Sequence, residues 1–350
     1  MCSSKPGISD ILEKYSLSKD DIITLLHVTD SCELEKLYRK ADEIRREYMG
    51  DKVHLRGIIE FSNYCARWCH YCGLRSENKS LQRYRMEPEE ILDTARKAFK
   101  LGYKTVVLQS GEDNYYTVDL MEEIIRSIKA EMDIFVTLSI GERTEEEYLS
   151  MKKAGADRYL LKHETSNQKL YSKMHPDMNY ENRINCLKIL KKLGYEVGSG
   201  VMIGIPGQSI ESLATDVLLF KELELDMIGM GPYIPHPGTP LYSDYESMGF
   251  FTPDIDYDLE EMVFKMLAIT RIVNKTAHIP ATTALATTNP ARGRELALTR
   301  GANVVMPNVT DRKYRQLYEI YPSKVCVEEK PEDCRVCIDN RIRSVGRIPF

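Results

Sequence analysis

One alternation constrains this chain more than any other feature. From about residue 52 onward, short apolar runs alternate with longer stretches whose apolar residues recur at helical spacing. The runs span 53–61, 105–109, 134–139, 158–162, 197–203, 227–231, 279–285 and 303–306, and the helical patterns between most of them span 88–100, 119–130, 144–153, 181–192, 210–222, 259–274 and 290–299. Eight strands separated by helices predict an α/β chain, specifically a (β/α)8 TIM barrel. A weak internal repeat supports the count. Glycine recurs at Gly102, Gly155, Gly194 and Gly301, each at a helix end just before a strand, where a left-handed C-terminal cap makes a tight turn. The opposite strand ends carry polar or reactive residues: Cys65, Gln109 to Glu112, Thr137, Ser139, His163 to Thr165, Gln208, His236, Thr282 and Thr283. A barrel builds its active site at that end.

The chain divides on this reading into an N-terminal helical extension over 1–50, the barrel over 51–310, and a charged, cysteine-bearing C-terminal extension over 311–350. Ser18 and Asp30 or Ser31 are the expected N-caps of the first segment. No glycine/serine linker separates the parts, so both extensions are expected to pack on one barrel. With 350 residues, 43% of them hydrophobic, a sizeable core is available and disorder is excluded. A formal net charge of -5 leaves no electrostatic footprint for nucleic acid. No apolar run approaches the ~18 residues that a membrane span needs, and residues 1–30 lack a signal-peptide core, so a soluble cytoplasmic protein without a membrane partner is expected.

The nine cysteines are organised. An odd count in such a chain argues for metal or catalytic use rather than a disulfide framework. Cys65, Cys69 and Cys72 lie in one loop directly after the first strand. Three thiolates on a short loop can each hold one iron of a [4Fe-4S] cube and leave the fourth iron open to a ligand. The competing reading is a structural zinc site completed by His70, although such sites usually draw ligands from two separated knuckles. Cys326, Cys334 and Cys337 form a second group, suited to an accessory [2Fe-2S] or [4Fe-4S] cluster or to zinc. Cys2, Cys32 and Cys186 read as plain structural residues. At other strand ends, Ser110 and Gly111 allow close backbone approach to a ligand, and Glu112 can accept from an ammonium. Glu164 can accept from hydroxyls, and Arg183 suits a carboxylate.

The C-x3-C-x2-C spacing with Tyr71 before the last cysteine resembles the signature of the radical S-adenosylmethionine (SAM) superfamily. That resemblance implies that Cys65, Cys69 and Cys72 bind the cluster and that its open iron chelates SAM. Reductive cleavage of SAM then gives a 5'-deoxyadenosyl radical. Tyr71, Ser110, Gly111, Glu112, Ser139, Glu164, Arg183 and Met227 are the implied SAM contacts, Ser110 departing from the glycine usual there. The run from Val201 to Gln208 resembles the superfamily's element near the adenine.

Across nearly the whole chain, further segments resemble the HydE family, the radical SAM maturases of [FeFe]-hydrogenase. They include 58–63, 108–113, 157–165, 231–237, 279–284 and 314–318. The resemblance implies a step in assembling the diiron subcluster, acting on a cysteine-bound iron carbonyl cyanide complex. The partners would be the maturases HydG and HydF and a reducing electron donor. It also implies a substrate cavity bearing Thr137, Lys162, Thr282, Thr283, Met306 and Tyr318. Hydroxyl donors and a cation inside a closed barrel suit an anionic complex. A methylornithine synthase-like mutase, a biotin synthase-like enzyme and a non-catalytic iron-sulfur or zinc scaffold are the alternatives.

Overall fold

The computed structural model describes residues 7–251 and 257–350; Cys2 lies outside them. Seven parallel strands form the wall: β1 (Lys52–Ser62), β2 (Thr105–Ser110), β3 (Phe135–Ser139), β4 (Arg158–Leu160), β5 (Glu196–Ile203), β6 (Met227–Pro232) and β7 (Val304–Val305). Their spatial order is β6-β5-β4-β3-β2-β1-β7. Two parallel bridges, Met227 to His278 and Pro280 to Val304, join the ends of this order and close the ring into a (β/α)8 barrel.

The eighth stave therefore exists only as a pair of bridges, which corrects the strand expected over 279–285. Pro280 has no N–H to give to a ladder. Two residues on, Thr282 Oγ1 accepts from Leu285 N at 3.3 Å and starts the helix Thr283–Thr288. The fourth strand is also shorter than the expected 158–162, and the chain rejoins β5 through a bridge from Glu164 to Val201.

The helix-end glycines Gly102, Gly155, Gly194 and Gly301 all have positive φ. The repeated turn is thus the left-handed cap that the sequence pattern requires. Two short helices, Gln168–Met174 and Pro240–Met248, were not legible as periodic patterns.

The N-terminal segment is helical, with Ser18 and Asp30 as caps. Its helix Ser31–Met49 packs on Leu259–Val273. Lys265, on that second helix, is fully buried and donates to Val28 O at 3.0 Å. At the other end, helix Pro331–Ser344 packs on Gly293–Leu298, and β8 (Ile348–Pro349) pairs with the first residues of β1. Arg347 donates to Asp42 at 2.6 Å, tying the two extensions together beneath the barrel. Buried Arg315 holds the tail loop through the carbonyls of Thr310, Cys326 and Glu329. Among the described residues no helix is long and apolar enough to cross a membrane.

Candidate active site

Inside the barrel lies a cavity of about 370 Å³ opening toward the C-terminal strand ends. Its upper wall is the cysteine loop. Gly111 N donates to Ser62 O at 3.2 Å and Ala66 N to Glu112 O at 2.9 Å, so the loops after β1 and β2 are laced together. A side chain on Gly111 would collide with the Tyr64 carbonyl and with Cys65 Cβ, so only glycine permits this approach. His70 N donates to Met174 O at 2.8 Å and Gly73 N to Ile320 O at 2.8 Å, seating the loop on its other flank.

Cys65, Cys69 and Cys72 all line the cavity. Burial raises each thiol's pKa; Cys72 and Cys65 push that of Cys69 higher still, and Cys65 adds to burial in raising Cys72 to about 12. Half-buried thiols that disfavour one another's ionisation suit a cationic group, which would hold them as thiolates. Among the described residues no three His, Cys, Asp or Glu side chains converge on a point suited to a single ion. A four-iron cube takes one thiolate at each of three separate corners, so the donor set fits that group.

Below the loop, Ser110, Gly111, Glu112, Ser139, Glu164 and Arg183 line the same cavity. Glu164 stands at φ 63, a left-handed conformation uncommon for glutamate, and its Oε2 is buried with no partner among the described residues. Its Oε1 accepts from Tyr71 OH at 3.4 Å. Burial raises its pKa, while Lys162 and Arg183 act in the opposite direction. An unpartnered buried carboxylate oxygen facing a cavity is a ready acceptor for a ligand's hydroxyl.

Arg183 donates to Glu142 Oε1 at 2.7 Å and to Lys162 O at 2.6 Å. Burial opposes its charge, but Tyr171, Glu142 and Glu112 outweigh that, and the guanidinium stays charged. Glu112 pairs with Arg67 and accepts from Glu142 N at 3.1 Å. Gly141 leaves room for the Glu112 side chain, which a Cβ there would overlap.

Lys162, Thr282, Thr283, Met306 and Tyr318 line the cavity further along. Thr137 is buried on the Ser139 face of β3 with its Oγ1 unpartnered among the described residues, and it is not among the cavity-lining residues. Met227 stands at the N-terminal end of β6, where Arg56 Nη1 reaches its sulfur, on the deep side of the cavity away from Glu112.

Several lining residues were missed by sequence reasoning. Arg56 is buried, and burial and Arg158 lower its pKa to about 9. His278 shares the floor, and Lys324 and Tyr321 reach in from the tail. Strand parity carries a signal for Arg56, because it shares the cavity face of β1 with Ile58 and Glu60. Arg67 and His175 of the lining, and Glu142 behind Arg183, had no comparable signal.

The second cysteine group comes together in part. Cys326, at φ 63, lies against buried Cys334 with Arg294 Nη1 at 3.9 Å from its sulfur, while Cys337 is exposed one turn along the helix. Cys186 is buried in its helix, and Cys32 is exposed.

A thiol-lined cavity at the mouth of a (β/α)8 barrel, with an acid and an arginine facing it, defines the class, and the Radical SAM superfamily model matches residues 59–220. The curated protein "[FeFe] hydrogenase maturase subunit HydE" of Thermotoga maritima is 51% identical over 98% of this chain and 94% of its own length. The 3-methylornithine synthase of Methanosarcina acetivorans is 32% identical over 84% of this chain and 80% of its own. The crystal structure of methylornithine synthase superposes with a TM-score of 0.82 at 27% identity, covering 98% of this chain and 97% of that one. The chain belongs to the HydE family of radical SAM maturases.

Proposed function

We propose that this protein cleaves SAM reductively and uses the resulting radical in assembling the diiron subcluster of [FeFe]-hydrogenase. The observation that carries the reading is the single cavity in which the three loop thiols, the Glu164 carboxylate and Lys162 meet. When bound there, a [4Fe-4S] cluster and SAM supply an electron and a 5'-deoxyadenosyl radical.

The residues of the chain do the rest. Cys65, Cys69 and Cys72 hold the cluster. Glu112 accepts from the SAM ammonium, Arg183 pairs with its carboxylate, and Glu164 accepts from the ribose hydroxyls, with Tyr71, Ser110, Gly111 and Ser139 shaping the cradle. Lys162, Thr282, Thr283, Met306 and Tyr318 surround the substrate, with Met227 beneath; Thr137 lies just behind this wall. The ammonium of Lys162 and the guanidinium of Arg56 favour an anionic substrate such as a cysteine-bound iron carbonyl cyanide complex. HydG would supply that complex and HydF would receive the product. Cys326, Cys334 and Cys337 would hold an accessory cluster outside the cavity, and the three parts of the chain would be 1–50, 51–310 and 311–350.

The test is complementation of hydrogenase maturation in an anaerobic strain lacking its own HydE, paired with reduction of the reconstituted protein by dithionite in the presence of SAM. Restored hydrogenase activity and release of 5'-deoxyadenosine are expected. Release of 5'-deoxyadenosine without complementation would move the substrate toward that of a methylornithine synthase. No release at all would leave a metal-storing scaffold.

A further inference from the structure

The flank on which the cysteine loop rests is the end of helix Gln168–Met174, whose C-cap is His175. The loop meets this helix end three times in succession. Trp68 N donates to Asp177 Oδ1 at 3.3 Å, Cys69 Sγ lies 3.3 Å from His175 Nδ1, and His70 N donates to Met174 O at 2.8 Å. His175 is 2% exposed. Its ring is fixed between Tyr171, with centroids 4.5 Å apart, and Tyr71, with centroids 5.3 Å apart. Its Nε2 is buried with no protein partner among the described residues, and the residue lines the cavity.

We propose that His175 is a positioning residue for the cluster, donating Nδ1–H to the Cys69 sulfur and thereby raising the reduction potential at which the cluster takes up its electron. This inference rests on the cluster reading of the triplet. A cysteine sulfur bound to iron carries no proton and presents only lone pairs. An unprotonated Nδ1 at 3.3 Å would face it lone pair to lone pair, so the proton sits on Nδ1 and the free lone pair on Nε2. Hydrogen bonds to cluster sulfurs stabilise the more negative, reduced state, and they are one of the levers that set iron-sulfur potentials. Tyr71, edge-on to the ring at 82°, and Tyr171, tilted against it at 31°, hold the ring so that this donor cannot swing away. His175 is the one neutral side-chain N–H donor that the described contacts place on a sulfur of the triplet.

The experiment is an EPR-monitored redox titration of the full-length protein, reconstituted anaerobically with iron and sulfide and measured without SAM. His175→Phe keeps an aromatic ring between the tyrosines and removes the donor. His175→Asn places an amide N–H where Nδ1 was. At the wild-type midpoint the reduced-to-oxidised ratio is expected to fall about tenfold in the Phe variant, about 59 mV for a one-electron couple, and to stay within about twofold in the Asn variant. An unmoved potential in the Phe variant, or equal shifts in both, overturns the proposal. Where neither variant takes up a cluster, wild-type protein labelled with 15N-histidine decides by pulsed EPR. Coupling of a ring nitrogen to the reduced cluster supports the hydrogen bond, and its absence overturns it. A wild-type protein that forms no four-iron signal overturns the cluster reading itself, an outcome distinct from a cluster indifferent to His175.

Discussion

Lys324, from the C-terminal extension, forms an ion pair with Glu60, a carboxylate on β1 that is 3% exposed inside the barrel. Asn308 Nδ2 donates to the second oxygen of Glu60 at 2.6 Å, and the ammonium also lies 5.2 Å from the Tyr318 ring centroid. The tail thereby forms part of the cavity wall, since Lys324, Tyr318 and Tyr321 all face it. Breaking a buried pair from one side leaves a charge without compensation and costs about 3–5 kcal/mol. Lys324→Met is therefore expected to lower stability by that order, and Lys324→Met combined with Glu60→Gln to recover much of it. Chemical denaturation of the single and double variants checks this, and additive losses would show that the two residues are uncoupled.

Asp216 makes stability depend on pH in a direction unusual for a carboxylate. Its Oδ1 accepts from Ser166 N at 2.6 Å, holding the turn after Glu164, while Oδ2 is buried without a partner among the described residues. Burial raises its pKa from the ordinary 3.8 to about 7 despite that hydrogen bond. With the folded value above the unfolded one, the native state retains a proton that the unfolded state has released. The stabilisation that accompanies this proton is fully present below pH 3.8 and is lost as pH rises to about 7. Asp216→Asn keeps the acceptor and removes the titration. The stability of the Asn variant relative to wild type is expected to increase from pH 4 to pH 7 and then level off. A difference that is flat across that range would contradict the burial argument.

Much of this architecture was legible because a barrel repeats its instructions. Helix-end glycines and strand-end polar residues mark the two faces in several of the βα units, and the triplet identifies which face carries the chemistry. The misses have local causes. Pro280 and Thr282 replace a ladder with two bridges and a helix cap, although the surrounding residues are apolar enough to read as a strand. Arg56 sat unnoticed within an apolar run, because an inward guanidinium breaks the rule that barrel interiors are aliphatic. Glu142 and His175 reach the site only through tertiary contacts, 2.7 Å to Arg183 Nε and 3.3 Å to Cys69 Sγ, which no local pattern encodes.

The two cysteine groups are expected to separate cleanly on mutation. Cys69 faces the cavity beside Cys65 and Cys72, whereas Cys334 packs into the core on the tail helix. Cys69→Ala should abolish both the four-iron EPR signal and 5'-deoxyadenosine release. Cys334→Ala should leave both readouts in place, with any loss of metal confined to what the tail cysteines bind. Iron and sulfide analysis alongside EPR distinguishes them, and SAM cleavage surviving in the Cys69 variant would refute the cluster assignment.

Substitution of Lys162 is expected to separate substrate binding from cofactor binding. Its backbone carbonyl accepts from Arg183, the proposed SAM partner, but its side chain runs toward β6, where a Cβ on Gly229 would come within 3.4 Å of its Cε. Lys162→Met retains the carbonyl and most of the aliphatic stem while removing the charge. SAM affinity, measured on the reconstituted protein by equilibrium binding, is expected to change by less than about threefold. Affinity for an anionic substrate should fall about tenfold or more, as expected from losing about 1.4 kcal/mol of charge-assisted contact. Equal losses in both would place the ammonium with the cofactor and leave Arg56, deeper in the cavity, as the cation that faces the substrate.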